Sequence, residues 1–426
     1  MRPQRPLLFI PAAIAILAVA ALLLLWLGAR TPYARRVAGG WIEEATGLPA
    51  SIERLRLGFL RGPALEVHGF ALGQPEGFGA GRILEIGKAR IEIPWGSLFG
   101  GSAVDAIAIS DAVARPALAA GGGDNWTALI DRLAELGGEG EGAWSVGALG
   151  LERGAVEFQD ASTGTAWRLT AISLAARQIA PGADFPVDLR LAGVAGPNTF
   201  HLALNGTAQL DPDAGRYAAS GLGYTGWAGG DPLPLAGVEL AGRLQSATWI
   251  VEARSAAFRG GSFNLAGVPG TFEGELALGE DSMRMNLLVR TDSFAPRAPA
   301  VAFGRPLPAT ADPQAFGALQ ATFTCSLEDG VLRLDPIQAQ LDDTTIEGRL
   351  VPRERFVRLS ADRIEFDRYL APEKETRKDK KATLESAVAA LRELDLDAEI
   401  RIEEAKVAGA KLRDTVLRIE RLPVAP

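Results

Sequence analysis

Alternation of apolar and polar residues is the dominant pattern along this chain. The segment 394–403 reads LDLDAEIRIE, in which five apolar residues alternate with five charged ones. A period of two is typical of a β-strand with one dry face and one wet face. Comparable runs recur after Gly47, roughly twenty in all, and Gly, Pro, Asn and Asp separate them. The pattern therefore predicts a mostly β protein whose antiparallel strands are joined mostly by short turns.

A first helical segment precedes these runs. Residues 31–32 (Thr-Pro) are typical of a helix start and Gly47 of a helix end. Between them, the apolar positions at helical spacing are Tyr33, Val37, Trp41 and Ile42. We predict that this helix either rests on a membrane surface or covers the first end of the β region.

Two further segments predict short helices. The first is 125–138 (NWTALIDRLAELGG), whose apolar stripe consists of Trp126, Leu129, Ile130, Leu133 and Leu136. The second follows a charged run at 374–381, which we interpret as a solvated loop. Its apolar stripe consists of Leu384, Val388, Leu391 and Leu394.

The N-terminus contains the strongest hydrophobic signal. Residues 7–29 form 23 consecutive positions without a charge, which is long enough to span a bilayer. A cleaved signal peptide would have a shorter apolar core, although Leu27-Gly28-Ala29 could serve as a weak cleavage site. The predicted membrane anchor is represented by Leu7, Ile14, Leu17, Leu23 and Trp26.

The orientation of this anchor follows from the rest of the chain. Arginines flank it on both sides, so the positive-inside rule does not decide. The long segment that follows looks soluble and has almost no cysteine. We therefore expect a single-pass protein of the bacterial inner membrane, with its N-terminus in the cytoplasm and its bulk in the periplasm.

Composition excludes several classes of function. The net charge is −8, and proteins that bind nucleic acid usually carry basic patches, so no nucleic-acid partner is expected. The single cysteine, Cys325, alternates with Phe323 and Leu327 and is interpreted as a small apolar residue. With only His68 and His201 in the chain, most catalytic and zinc-binding arrangements are unavailable. We predict no enzyme activity, no metal and no cofactor.

Several blocks of sequence together resemble a known family. These are TGLPASIERLRLGFL at 46–60, AVDAIAISDAVARPAL at 103–118, GGGDNW at 121–126, and TTIEGRLV and LSADRIEFDRYLAP between 344 and 372. Their order is similar to that in the AsmA family of bacterial envelope proteins. The resemblance covers about 30–136 and 321–419, and the middle matches only in strand character. The family's C-terminal module normally continues for more strands, whereas this chain stops at Pro426.

The resemblance implies a fold and a function. The fold would be an elongated, curved antiparallel β-sheet groove with a few short helices, akin to chorein-type bridge proteins. The function would be phospholipid transport to the outer membrane and assembly of that membrane, with phospholipids and outer-membrane or periplasmic assembly proteins as partners. The family has no catalytic residues. The predicted organisation is a cytoplasmic tail (1–6), a transmembrane helix (7–29), an AsmA-like N-terminal region (30–141), a middle β region (142–320), an AsmA-like C-terminal module (321–372), a charged linker and helix (373–393) and further strands (394–426).

In such a groove, the dry faces of the strands would contact acyl chains. The predicted lining consists of Leu55, Leu57, Leu65, Val67, Ile91, Ile93, Phe272, Leu276, Leu278, Leu332, Leu334, Ile346, Leu350, Leu396, Ile400 and Ile402. The same alternation is also typical of a closed sandwich or barrel with a filled core. In that case the protein would be a membrane-tethered scaffold or regulator of outer-membrane protein assembly. An anchored hydrolase would require the scarce histidines and the carboxylates to converge in one pocket.

Overall fold

The computed structural model describes residues 31–59, 62–99, 103–137, 144–231, 237–279, 283–328, 330–369, 397–407 and 409–419. This part of the chain contains twenty β-strands and four α-helices, so the prediction of a mostly β fold with few helices is confirmed. None of the helices in the described ranges is long and apolar enough to cross a membrane. The predicted anchor, the linker at 374–381, the helix that follows it and Leu396 lie outside the described residues.

The chain divides into two units, residues 1–210 and residues 211–426. The elements of unit 1 are α1 (Pro32–Thr46), β1 (Ala50–Gly58), β2 (Ala64–Gly73), β3 (Arg82–Glu92), β4 (Ala103–Ala114), β5 (Ala117–Leu118), α2 (Thr127–Gly137), β6 (Ser145–Asp160), β7 (Ala166–Ile179), β8 (Asp184–Ala195) and β9 (Asn198–Asp211). A single turn of 3-10 helix, Trp95–Phe99, follows β3.

Unit 2 consists of eleven described strands and two very short helices. They are β10 (Arg216–Gly229), β11 (Val238–Ile250), β12 (Ser255–Leu265), β13 (Val268–Leu278), β14 (Met283–Thr291), α3 (Arg297–Ala302), β15 (Leu319–Glu328), β16 (Val331–Leu341), β17 (Thr344–Val351), β18 (Phe356–Glu365), α4 (Phe366–Tyr369), β19 (Asp397–Val407) and β20 (Ala410–Ile419).

Most neighbouring strands are antiparallel, as the sequence predicted. The turn between β12 and β13 shows why, because Ala266 and Gly267 both have positive φ, at 52° and 85°. This is the backbone of a two-residue turn that matches strand twist, and the Asn264 side chain accepts a hydrogen bond from the Gly267 N–H at 3.0 Å.

Three strand pairs are parallel, which corrects the expectation of a purely antiparallel sheet. They are β4 with β6, β5 with β6, and β18 with β19. Parallel neighbours need a long crossover. The connection that leads to β6 includes α2, and the one that leads from β18 to β19 includes α4.

The two helices of unit 1 cover one end of the sheet. Leu48, Leu72 and Ile83 form a buried cluster there, and Ile42 of α1 and Leu129 of α2 pack against it. The Thr31 hydroxyl caps α1 by accepting a hydrogen bond from the Ala34 N–H, and Gly47 ends it with φ of 72°. The predicted cap and end of α1 are confirmed.

Each helix buries only part of its predicted apolar stripe. In α1, Ile42 faces the core, whereas Tyr33 and Trp41 are 74% and 70% exposed. Trp126, just before α2, and Leu129 pack on the core, but Ile130 is 57% exposed.

In unit 2, a polar clasp holds the segment 312–318 against the β16–β17 turn. The Asp342 carboxylate accepts hydrogen bonds from the N–H groups of Phe316, Gly317 and Ala318 at 2.9, 2.9 and 3.0 Å, and from the Tyr369 hydroxyl at 2.8 Å. Beside it, Arg368 pairs with Asp312 at 2.7 Å and with Asp343 at 2.9 Å. We call this group the Asp342 clasp. The DRYL segment that contributed to the family resemblance therefore supplies two of its side chains.

Candidate functional site

The register of the strands shows which side chains share a face. Residues directly opposite each other on paired strands point to the same side of the sheet. Following partners from strand to strand therefore traces a row of side chains across one face. In both units these rows are apolar on one side of the sheet and polar on the other.

The first apolar face belongs to unit 1 and contains three rows that each cross eight strands. The first row is Leu57, Leu65, Ile91, Ile107, Leu149, Ala176, Val187 and Gly206. The second is Leu55, Val67, Ala89, Ile109, Leu151, Leu174, Leu189 and Leu204. The third is Ala50, Leu72, Leu84, Ala114, Val156, Leu169, Gly193 and Phe200.

A backbone irregularity keeps these three rows on the same face. On β8, Leu189 and Gly193 are four residues apart and therefore point to one side. Their partners on β7, Leu174 and Leu169, are five residues apart, which a regular strand would place on opposite sides. Between them, Ala171 has φ of 50° and the register shifts. This bulge turns the strand so that the same face stays apolar.

The same odd spacing occurs on the strands before β7. Between the second and third rows, β6 contains Arg153 with φ of 53°, β4 contains Asp111 with φ of 57°, and β2 contains Gly69 with φ of 61°. Residues with left-handed φ thus lie between the second and third rows in β2, β4, β6 and β7. The apolar face continues past them.

The opposite face of unit 1 is charged. Arg90 and Lys88 lie 3.0 Å and 3.4 Å from the Glu66 carboxylate, and Arg115 lies between Glu85 and Glu157 at 2.8 Å and 3.0 Å. Burial raises the pKa of Glu66, but the hydrogen bonds and charges of Arg90 and Lys88 outweigh it, and the pKa lies below its ordinary value. Glu66 is therefore ionised at neutral pH, and its ion pairs keep this face in contact with water.

The second apolar face belongs to unit 2. One row crosses eleven strands through Leu222, Leu244, Gly261, Phe272, Val289, Phe323, Ile337, Gly348, Leu359, Ile400 and Leu417. The adjacent row contains Ala219, Ala247, Phe258, Gly274, Leu287, Cys325, Leu334, Leu350, Val357 and Ala398. Bulges again align the rows, with Gly221 at φ of 58° and Gly260 at φ of 61°.

The opposite face of unit 2 is mostly polar. Its row reads Arg243, Ser262, Thr271, Arg290, Thr322, Gln338, Glu347, Ser360 and Arg401. Ion pairs join neighbours on it, such as Arg259 with Glu275 at 3.1 Å and Arg401 with Glu399 at 2.7 Å. A face of this composition can remain in contact with water.

The structure places the predicted lining residues on these two apolar faces. Leu55, Leu57, Leu65, Val67 and Ile91 lie in the rows of the first face, and Ile93 follows just beyond β3. On the second face, Leu276 and Leu332 belong to a shorter row with Met285 and Leu327, and Leu278 is opposite Met283. The remaining predicted residues of this face are Phe272, Leu334, Ile346, Leu350, Ile400 and Ile402. Whether any of them contacts lipid stays a prediction.

Sequence reasoning missed about half of the first face. Ile107, Ile109, Leu149, Leu174 and Leu189 were not among the predicted lining residues. Alternation is visible in AVDAIAI at 103–109 and in VGALGLE at 146–152, but alanine and glycine dilute it. The members of the third row were missed for another reason: a strict period of two places them on the opposite face.

The apolar rows are only partly shielded. Within the described ranges, no large hydrophobic side chain is less than 2% exposed. Leu72, Ala176, Leu244 and Ala398 are buried, but most of their row neighbours are half-buried. Neighbouring strands shield their sides, and the described strands of each unit form one sheet rather than two facing ones. Each face therefore offers apolar surface that a ligand or another chain could cover.

Among the described residues, there is little support for a metal site or a catalytic nucleophile. They contain no group of three or more His, Cys, Asp or Glu residues that could hold a metal ion. Cys325 lies on the second apolar face between Leu287 and Leu334, and burial raises the pKa of its thiol. A protonated thiol in this setting is a small apolar group rather than a nucleophile.

Comparisons with known proteins add no relative. No protein-family model, no curated protein and no solved structure matches the chain.

Proposed function

We propose that this protein is anchored in the bacterial inner membrane and shields acyl chains on its apolar sheet faces in the periplasm. It thereby takes part in phospholipid transport to the outer membrane and in assembly of that membrane. The single observation that supports the proposal is the pair of extended apolar faces that no second sheet covers in the described residues. The AsmA resemblance in the sequence points the same way.

The energetics of such a role are favourable. Each methylene group that is moved out of water contributes about 0.8 kcal/mol, so two acyl chains in water would cost on the order of 20 kcal/mol. Contact with an apolar face removes much of this cost without a directional site, because the hydrophobic effect is non-directional. The bulges serve the role by keeping each face apolar over its full width. The polar opposite face keeps the loaded protein in solution.

A second candidate is a membrane-tethered scaffold for outer-membrane assembly proteins. Strand β20 supports it, because among the described residues its only strand partner is β19. A free strand edge can accept a strand from another protein. In this candidate, the apolar faces would be covered by protein rather than by lipid.

Photocrosslinking in living cells tests the two candidates against each other. A photoreactive amino acid is placed at Leu276, Ile346 or Ile400 on the second apolar face. The matched controls are Glu275, Glu347 and Arg401, each one position along the same strand and therefore on the polar face. Adducts are identified by mass spectrometry.

The proposal predicts phospholipid adducts at the three apolar positions and not at their neighbours. Adducts to protein alone at all three positions would reject the lipid-shielding role and favour the scaffold. Equal lipid labelling at apolar and polar positions would mean that the crosslinker only reports nearby membrane.

A further inference from the structure

Helix α1 presents an aromatic stripe to the outside of unit 1. Tyr33, Val37 and Trp41 are spaced by four residues and so lie on one side of the helix. Tyr33 and Trp41 are 74% and 70% exposed, whereas Gly39 and Ile42 face the sheet. Two large aromatic side chains exposed to this degree are unusual for a helix that already buries its other side.

The helix is fixed in this orientation by contacts on its inner side. Arg132 of α2 donates hydrogen bonds to the carbonyl oxygens of Glu44 and Ala45 at 2.9 Å and 3.1 Å, at the last turn of α1. Near its start, Arg35 donates a hydrogen bond to the Glu53 carbonyl on β1. With Ile42 packed in the core as well, α1 cannot turn its aromatic stripe inward without breaking these contacts.

The chain before α1 identifies what covers the stripe. The uncharged segment 7–29 ends at Ala29, and α1 begins at Pro32. An extended residue spans about 3.5 Å, so the start of α1 lies within roughly 10 Å of the end of that segment. The polar zone of a bilayer adds about 5–8 Å to each side of its hydrocarbon core. If the segment spans a membrane, the first turn of α1 lies at the membrane surface.

The spacing of the aromatics then sets the direction of the helix. Tyr33 and Trp41 are separated by about 12 Å along the axis, at 1.5 Å per residue. Both rings reach the same depth only when the axis of α1 runs along the membrane surface. Tyrosine and tryptophan are the residues enriched at this depth, and the exposed Arg36 would lie beside lipid phosphates.

We propose that the Tyr33–Val37–Trp41 stripe of α1 lies in the headgroup region of a phospholipid bilayer, with the helix axis in the plane of the membrane. The proposal rests on the membrane attachment in the proposed function and deepens it. It places one end of the sheet, the end that α1 and α2 cover, at the membrane surface. Lipid that leaves the bilayer would therefore meet the first strands of unit 1 first.

Depth measurement on the full chain tests this placement. In a Cys325→Ser background, Tyr33→Cys, Trp41→Cys and the control Val301→Cys are each labelled with an environment-sensitive dye. Val301 is 64% exposed on α3 and has no predicted membrane contact. The protein is reconstituted in vesicles of phosphatidylcholine and phosphatidylglycerol, and quenching is measured with lipids that carry a spin label near the headgroup.

We expect blue-shifted emission and similar quenching at positions 33 and 41, and none at 301. Quenching at 33 but not at 41 would overturn the in-plane helix, since α1 would then stand away from the surface. A blue shift that grows with protein concentration in detergent, without lipid quenching, would assign the stripe to a second copy of the chain. Vesicle flotation separates this test from the proposed function: a chain that floats with unquenched labels refutes the helix placement alone, and one that does not float refutes membrane attachment too.

Discussion

The two apolar faces are built from different kinds of residue. On the first face, long aliphatic side chains stand next to one another, as in the row that contains Leu65, Ile91 and Ile107. On the second face, several positions are glycine. A Cβ built on Gly261 would lie 2.5 Å from the Phe272 ring, and one on Gly270 would lie 2.5 Å from the Phe263 ring. An aromatic side chain thus lies over each of these two glycines.

The difference shows that glycine in a strand need not leave a gap. Glycine weakens a strand because it has no side chain to pack, and a ring from the neighbouring strand can supply the missing surface. The first face uses this arrangement at Gly193, which Phe200 covers. The two faces also differ in cover, because α1 and α2 bury one end of the first face.

Truncating a leucine should cost much more under the helices than on an uncovered row. Leu72 is 2% exposed beneath α1 and α2, whereas Leu276 is half-buried on the second face. Leu72→Ala leaves a cavity and should lower the free energy of unfolding of unit 1 by about 2–5 kcal/mol. Leu276→Ala should cost about 1 kcal/mol in unit 2, since only part of its surface leaves water on folding. Peptide-resolved hydrogen exchange at β2 and β13 measures both. Equal losses would mean that something covers Leu276 as fully as the helices cover Leu72.

Adding one methyl group to a row glycine should destabilise the second face. In Gly261→Ala the new Cβ would clash with the Phe272 ring, so the ring must move, at a cost of about 1–3 kcal/mol. The matched control is Gly150→Ala on the polar side of β6, where no atom lies within 4 Å of the added Cβ. That change should stay within about 0.5 kcal/mol. Thermal unfolding of the two variants gives the comparison, and a neutral Gly261→Ala would show that the ring does not lie over the glycine in solution.

Acid should weaken unit 2 through the Asp342 clasp. Burial raises the pKa of Asp342, but hydrogen bonds from Tyr369 and three backbone N–H groups outweigh it, and the pKa lies below its ordinary value. A carboxylate with a depressed pKa stabilises the fold above its unfolded pKa of about 3.9, and this stabilisation is lost as pH falls through the folded value. The unfolding temperature of unit 2 should therefore decrease as the pH is lowered below about 4.

The Asp342→Asn variant isolates the contribution of this carboxylate to the acid sensitivity. It keeps a residue that tolerates the positive φ of 51° at this position but has no charge to titrate. It should be less stable than the parent at pH 7 and should lose less on acidification. If parent and variant respond to acid in parallel, other carboxylates control the acid sensitivity.

Much of the fold could be predicted from alternation, but only part of each apolar face could. Periodicity located most strands, and Thr31, Pro32 and Gly47 gave the bounds of α1. Periodicity failed where a left-handed residue interrupts the alternation of faces. A period of two places His68 and Phe70 on one face, but Gly69 turns the strand between them, so they lie on opposite faces. Left-handed φ at Arg153 and Ala171 has no local signal, because arginine and alanine seldom adopt it.

The other features that the sequence did not predict depend on contacts between residues far apart in the chain. The parallel pairing of β4 with β6 follows from where the chain returns after α2, which no local pattern encodes. The Asp342 clasp joins residues 312–318, 342–343 and 368–369 across three separate connections. The adjacent aspartates at 342 and 343 give no local sign of this role. Asp342 orders a loop, and only Asp343 is largely exposed, at 80%.

The hairpin order of the strands has a consequence for how such a chain can change its length. From β10 to β18 each strand follows its sheet neighbour in sequence, so stability is set mostly link by link, as in repeat proteins. Duplicating or losing one hairpin at a turn such as Ala266-Gly267 would then leave the other links intact. Only a hairpin whose apolar residues fit the rows of its neighbours would continue the face. Evolution could thus lengthen or shorten the sheet in steps of two strands without redesigning a shared interior.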